Sequence, residues 1–223
     1  MEGLIFFAII KKTFEEVSAM ILLAIFAAKI ILAAVLTVAG SLWIDKLYSR
    51  SKELTFPDEI SSRARFRKPI IFFSLSCLYM FGDLWIMAAI FLLVLMTVTD
   101  FEQYMLFDAM TLPLALLGGF YVWQMNLNFQ AHIATALIGG GIFLLLAVLS
   151  KGSLGGGDVK LIAALGLWLG AEKLISVVLI GTIVGGLAAV LMILTKKKDH
   201  SSYFAYGPYF ALTAIYFLLE KFF

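Results

Sequence analysis

The sequence predicts an all-α fold, a polytopic transmembrane helical bundle of about eight spans, each needing about 20 apolar residues. Hydrophobic residues make up 62% of the 223 residues and charged residues only 14%, whereas soluble domains have about 45–50% and about 25%. The mean hydropathy is +1.01, and long stretches such as residues 109–150 contain no charged residue. A water-soluble globule of this length could not bury so much apolar surface, and disorder requires the opposite composition.

Breaks in the apolar stretches divide the chain into segments. Residues 1–17 are expected to form an interfacial helix, because their apolar residues recur at helical spacing. Residues 18–68 are expected to hold the first span and a short basic cytoplasmic loop, and residues 69–223 the core of the bundle. The predicted spans lie near residues 18–44, 69–82, 84–99, 112–125, 131–149, 158–170, 173–195 and 203–220.

The distribution of positive charge assigns each loop to a side of the membrane. Most of the 17 lysines and arginines fall in loops that follow odd-numbered spans, and loops rich in these residues are cytoplasmic. The loops at 100–111 and 150–158 therefore face the cytoplasm. The net charge is only +2 and the basic residues are scattered, so we expect the lipid bilayer as a partner and no nucleic acid. The single Cys77 allows neither an intramolecular disulfide nor a cysteine zinc site, and we expect no metal.

Two aspartates stand at span ends on this cytoplasmic side. Asp100 closes the third predicted span and Asp158 opens the sixth. Charges are costly near a bilayer and mark functional sites there. If the two helices pack together, one carboxyl group keeps its proton while the other ionises, and such a pair supplies the base and the acid of peptide hydrolysis. The alternative for either aspartate alone is a helix cap at the membrane interface.

A run of three glycines, 155–157, directly precedes Asp158. Glycine lacks a Cβ atom, so such a run lets a substrate backbone come close. The alternative is a flexible loop. The run fits neither of the glycine-rich phosphate-binding patterns, G-x-x-x-x-G-K-[ST] and G-x-G-x-x-G.

Three segments, in order, resemble the type IV prepilin peptidases, a family of GxGD intramembrane aspartyl proteases. The D-x7-D-x2-T-x-P segment of the family is matched by Asp100, Asp108, Thr111 and Pro113. The stretch G-G-G-D-V-K-L at 155–161 resembles the G-x-G-D-x-K-L motif, and Y-G-P-Y-F-A-L at 206–212 resembles the F-G-P-x-x-A segment. The similarity covers about residues 60–215.

The resemblance implies a function for residues 69–223 as a transmembrane peptidase core. It implies a membrane-embedded aspartyl endopeptidase that cleaves the leader peptide from type IV prepilins or pseudopilins. Such substrates carry a short basic leader before a hydrophobic helix, and they are cut at the cytoplasmic face of the bacterial inner membrane, commonly after glycine. The implied catalytic pair is Asp100 and Asp158.

The same resemblance assigns further residues to the site. Supporting active-site roles fall to Gly155, Gly157, Lys160 and Asp108. Candidate substrate-binding residues are Glu102, Asp108 and Pro208. The alternatives remain open: a solvated loop for Glu102 and Asp108, an interfacial anchor for Lys160, and a break or kink in the eighth span for Pro208.

The chain departs from the family pattern in its first half. Residues 45–68 contain no cysteine, so this is a short form that lacks the cysteine-rich cytoplasmic loop of many bacterial members. Gly40-Ser41-Leu42 matches only the start of the family's G-S-F-L-N segment, which lies in the region associated with N-methylation. This departure argues against N-methyltransferase activity and leaves S-adenosylmethionine open as a cofactor, while proteolysis is expected to need none.

Two other classes of function fit the same composition. One is an ion- or proton-coupled transporter that uses Asp100 and Asp158 as a relay, although we find no internal repeat of the kind that transporters show. The other is a membrane scaffold in a secretion system, which would need neither aspartate.

Overall fold

The computed structural model describes residues 2–80, 83–150, 154–195 and 204–220, with side chains from residue 17 onward. Within those ranges the chain is helical and contains no strand, which confirms the predicted all-α fold. The helices are α1 (Glu2–Arg50), α2 (Ile60–Arg63), α3 (Arg67–Leu78), α4 (Leu84–Gln103), α5 (Asp108–Gln124), α6 (Phe129–Leu149), α7 (Gly156–Leu194) and α8 (Gly207–Leu219). Two short 3₁₀ turns, Pro57–Glu59 and Ala64–Phe66, flank α2.

Four of the described helices are long and apolar enough to cross a membrane: Val17–Arg50 of α1, α4, α6 and α7. The prediction of a membrane helical bundle is therefore confirmed. Because α3, α5 and α8 are shorter, with 12, 17 and 13 residues, the count of eight spans stays a prediction. So does the interfacial placement of residues 1–17, where the backbone of α1 continues without a break.

The sixth and seventh predicted spans are the two halves of α7. The helix is interrupted at Gly170, whose φ of 71° and ψ of 179° lie outside the helical region. Only glycine adopts such a conformation readily, and the predicted boundary fell at this residue. His132 of α6 supports the break, since its Nδ1 lies 2.7 Å from the carbonyl oxygen of Leu167. The predicted end of the second span at Gly82, the start of the eighth at 203 and the lysines at 196–198 lie outside the described residues.

The buried core centres on α4, which packs against α3, α5 and α8. Most of its residues are buried, among them Ile90, Leu93 and Met96, each 0% exposed. The other packing centre is α7, which contacts α5, α6 and α8. Large apolar side chains remain exposed on α1, α6 and α7, which is the arrangement expected where helices face lipid tails.

The contact between α6 and α7 depends on small residues. A Cβ atom on Gly140 would lie 2.9 Å from the Cβ of Ala163, and one on Gly166 would lie 2.7 Å from the Cα of Ala136. Small residues of this kind let two membrane helices approach backbone to backbone. This packing fixes the helix whose first turn carries Asp158.

Candidate active site

Asp100 lies in the last turn of α4 and is only 6% exposed. The helix ends at Gln103, and the next residue, Tyr104, has a left-handed φ of 52°. The N–H of Tyr104 donates to the carbonyl oxygen of Asp100 at 2.9 Å. The backbone turn that ends α4 is therefore closed on Asp100 itself.

Asp158 lies in the first turn of α7, directly after the glycine run. Its N–H donates to the carbonyl oxygen of Gly155 at 3.1 Å. A carboxylate at this end of a helix interacts favourably with the helix dipole. Gly155 and Gly156 are exposed, whereas Asp158 is half-buried.

The two aspartates line one pocket of about 210 Å³. The other residues that line it are Tyr104, Met105, Leu106, Gly155, Gly156 and Gly157. The C-terminal end of α4 and the N-terminal end of α7 therefore meet at the same end of the bundle. One wall of this pocket is the glycine run, from which no side chain projects into the space beside the two carboxyl groups.

The start of α8 lies against the carboxyl group of Asp100. A Cβ atom on Gly207 would stand 2.7 Å from Oδ2 of Asp100, so a larger residue there would displace the carboxyl group. Leu106 packs beside both Gly207 and Gly157. Oδ2 of Asp100 is buried and makes no hydrogen bond within the part of the chain that the structure describes. Buried polar atoms normally have a partner, so this oxygen is an exception among them.

Asp108 and Lys160 form an ion pair beside the pocket rather than in it. The Nζ of Lys160 lies 2.6 Å from Oδ1 of Asp108, and the two side chains are 55% and 70% exposed. Both residues line an adjoining apolar groove between α5, α6 and α7, together with Thr111 and Ala164. Lys160 follows the glycine run by three positions in the chain, and the predicted supporting role of both residues stays a prediction.

The remaining predicted residues, Glu102 and Pro208, are both buried, so Glu102 does not lie in a solvated loop. Glu102 is 5% exposed, and its carboxylate is bound by Arg67 and by the hydroxyl of Tyr48. This carboxylate is occupied within the chain, and the predicted contacts of Glu102 and Pro208 with a substrate stay predictions. Pro208 is buried in the first turn of α8, so it starts that helix instead of kinking it.

Sequence reasoning missed two parts of this arrangement. The Y-G-P segment marked the region around Gly207, but nothing in the sequence indicated that Gly207 contacts Asp100. Nothing in the sequence indicated that Arg67 is buried, because its basic neighbours suggest an exposed loop. Within the described residues no group of three His, Cys, Asp or Glu side chains is arranged to hold a metal ion.

Comparison with known proteins identifies the family of this site. Residues 86–190 match the model of the type IV leader peptidase family. The chain is similar to prepilin leader peptidase/N-methyltransferase of Xanthomonas campestris pv. campestris, with 32% identity over 129 residues, or 54% of this chain and 44% of that protein. It is 36% identical to the protein of that name from Neisseria gonorrhoeae over 124 residues, 52% of this chain and 41% of that protein.

A third relative has the same name and comes from Aeromonas hydrophila. It is 32% identical over 139 residues, which cover 59% of this chain and 47% of that protein. The matched region thus spans about half the length of these curated relatives. No solved structure matches the chain. Residues 86–190, which hold both Asp100 and Asp158, form a domain of the type IV leader peptidase family.

Proposed function

We propose that the chain is a membrane-embedded aspartyl endopeptidase that removes the leader peptide from type IV prepilins or pilin-like precursors. The observation that carries this proposal is the single pocket that Asp100 and Asp158 share inside the leader peptidase domain. The names of the curated relatives describe action on prepilins. This similarity supports the same substrate class here.

The two carboxyl groups would divide the work of peptide hydrolysis. The ionised one takes a proton from water, and the resulting hydroxide attacks the scissile carbonyl carbon. The protonated one donates its proton as the tetrahedral intermediate collapses and the peptide nitrogen leaves. Neighbouring carboxyl groups suit this scheme, because they cannot both ionise readily and so share one proton.

We place the reaction at the cytoplasmic face of the bacterial inner membrane. The pocket lies at the end of α4 and the start of α7. Its lining residue Tyr104 packs against Phe56, within residues 45–68, which hold seven of the 17 lysines and arginines. Loops rich in these residues stay on the cytoplasmic side. A substrate whose hydrophobic helix lies in the bilayer would present its leader junction at this level.

The proposal concerns leader cleavage and needs no metal or cofactor for that step. The names of the relatives also include N-methyltransferase, but Gly40-Ser41-Leu42 matches only the beginning of the segment tied to that activity. Whether the chain uses S-adenosylmethionine is therefore left open. A transporter could use the same two aspartates, but the family of residues 86–190 favours the peptidase.

Cleavage of a prepilin in membranes tests the proposal. We expect Asp100→Asn and Asp158→Asn each to abolish cleavage, because Asn keeps the side-chain shape but neither accepts nor donates the proton. Asp58→Asn is the matched control, since Asp58 is exposed in the 3₁₀ turn before α2. Full cleavage by either of the first two variants, inserted at wild-type level, would overturn the aspartyl mechanism.

A further inference from the structure

We propose that Arg67 is a positioning residue for the candidate active site. Together with Glu102 and Tyr48 it would hold the last turn of α4 in place, and with it the carboxyl group of Asp100. This inference rests on the proposed function of that site, but it concerns residues of the chain that neither line the pocket nor touch a reacting atom.

The contact between Arg67 and Glu102 is a buried, two-pronged ion pair. Arg67 is 3% exposed and Glu102 is 5% exposed. The Nε of Arg67 donates to Oε1 of Glu102 at 2.9 Å, and its Nη2 donates to Oε2 at 2.6 Å. A guanidinium that binds a carboxylate through two parallel hydrogen bonds fixes the orientation as well as the distance of its partner.

Two residues of α1 complete the cluster. The hydroxyl of Tyr48 donates to Oε2 of Glu102 at 2.9 Å. The Nη1 of Arg67 makes an ion pair with Asp45, one turn before Tyr48. Since Arg67 begins α3 and Glu102 lies near the end of α4, the cluster ties three helices together at one point.

A second set of contacts holds the same turn from the connection between α1 and α3. The N–H of Phe56 donates to Oε1 of Gln103 at 2.8 Å, and the amide nitrogen of Gln103 donates back to the carbonyl oxygen of Phe56 at 3.1 Å. Arg63 lies 3.5 Å over the Phe56 ring and donates to the carbonyl oxygen of Glu102 at 3.3 Å. Carbonyl oxygens in the last turn of a helix lack partners within the helix. Here the side chain of Arg63 supplies the partner for the carbonyl oxygen of Glu102.

These contacts lie within three residues of Asp100. Glu102 and Gln103 follow it in the same helical turn, so a shift of that turn moves the Asp100 carboxyl group relative to Asp158. Folding alone does not require a buried ion pair, because well-packed apolar side chains often serve as well. An error of about 1 Å in the position of a reacting group can reduce the rate about 100-fold. The contacts of Arg67 with Glu102 therefore serve catalysis, because they hold the Asp100 carboxyl group in position.

The first test compares two arginines two positions apart. Arg67→Met and Arg65→Met each remove one positive charge. Arg65 differs from Arg67 because it is exposed and lies over the ring of its neighbour Phe66. With a prepilin as substrate we expect Arg67→Met to lower kcat on the order of 100-fold at an unchanged KM. Arg65→Met should retain wild-type turnover. Arg67→Lys should recover only part of kcat, because Lys keeps the charge but not the two-pronged geometry.

The second test measures the site without proteolysis. In full-length protein with Cys77→Ser, Asp100→Cys and Asp158→Cys report on the separation of the two positions through a short thiol-to-thiol cross-linker. We expect Arg67→Met to lower the cross-linking yield roughly tenfold, because cross-linking demands a narrow range of distance and direction, while Arg65→Met leaves it unchanged. If Arg67→Met does not accumulate in membranes, Tyr48→Phe removes one hydrogen bond to Glu102 and should lower both readouts in the same direction.

The two tests separate the inference from the proposed function. Equal cross-linking and equal turnover in the Arg67 and Arg65 variants would overturn the positioning role. If the wild-type chain does not cut prepilin but Arg67→Met still lowers the cross-linking yield, the proposed function is overturned and the positioning role of Arg67 stands.

Discussion

Gly166 of α7 lies so close to Ala136 of α6 that the two helices meet backbone to backbone. A Cβ atom on Gly166 would stand 2.8 Å from the nitrogen of Ala136 and 2.7 Å from its Cα. Backbone cannot turn aside as a flexible side chain can, so Gly166→Ala must push α6 and α7 apart. We expect it to lower the free energy of unfolding by about 1–3 kcal/mol, the usual cost of overpacking.

Thermal unfolding in detergent would measure this effect. Gly141→Ala on α6 is the matched control, because nothing lies within 4 Å of the Cβ position there. It should leave the midpoint unchanged or raise it slightly, since Ala favours a helix more than Gly does. Equal midpoints for the two variants would contradict the close contact.

The buried ion pair of Arg67 and Glu102 predicts that the stability losses caused by substituting each residue alone are not additive. Arg67→Met leaves the buried Glu102 carboxylate without its cation, and Glu102→Leu leaves Arg67 with Asp45 as its remaining partner. Loss of one member of a buried ion pair costs about 3–5 kcal/mol. The double variant removes both charges, so its loss of stability should be smaller than the sum of the two single losses. Denaturant titration of the four proteins in detergent gives the coupling energy, and strictly additive losses would show that the two side chains do not interact.

The shared pocket of Asp100 and Asp158 makes a prediction about pH. Activity requires one carboxyl group to be ionised and the other to be protonated. It should fall at low pH, where the base gains a proton, and at high pH, where the acid loses one. A series of kcat/KM values for prepilin cleavage should thus be bell-shaped, and its two limbs belong to the pair as a whole. Rates that stay level through both limbs, with chemistry rate-limiting, would exclude this division of labour.

Trp168 fills the space beside Gly118 and donates its indole N–H to the carbonyl oxygen of Leu114 at 2.7 Å. A Cβ atom on Gly118 would lie 2.6 Å from Cδ1 of Trp168. Gly118→Ala should displace the ring and break the hydrogen bond, at a cost of about 1 kcal/mol or more. Gly119→Ala, where nothing lies within 4 Å, should have no such cost. Tryptophan fluorescence of variants that retain only Trp168 would report the displacement directly.

Local patterns in the sequence were sufficient for the helices and for the two aspartates. Apolar runs and charge breaks follow directly from what lipid tolerates, so they predicted the membrane bundle and the helix boundary at Gly170. Carboxylates close to the bilayer are costly, which made Asp100 and Asp158 candidates. Both inferences need only neighbouring residues, which is why they could be made without a structure.

Burial of polar residues was not predictable, because it depends on partners far along the chain. Arg67 and Glu102 are separated by 35 positions, and each taken alone reads as an exposed loop charge. His132 is a similar case, because its Nδ1 lies 2.7 Å from the carbonyl oxygen of Leu167, which is 35 positions away in α7. Only the packing of α3 on α4 and of α6 on α7 brings these partners together.

The chain is attached to α4 at two points before α3, at Tyr48 near the end of α1 and at Phe56 in the connection that follows. Lys52 and Glu53, which lie between these attachments, are exposed. Extra sequence inserted at that point would leave the turn that carries Asp100 in place, because both attachments would persist. The length of this connection can therefore change in evolution without altering the position of Asp100.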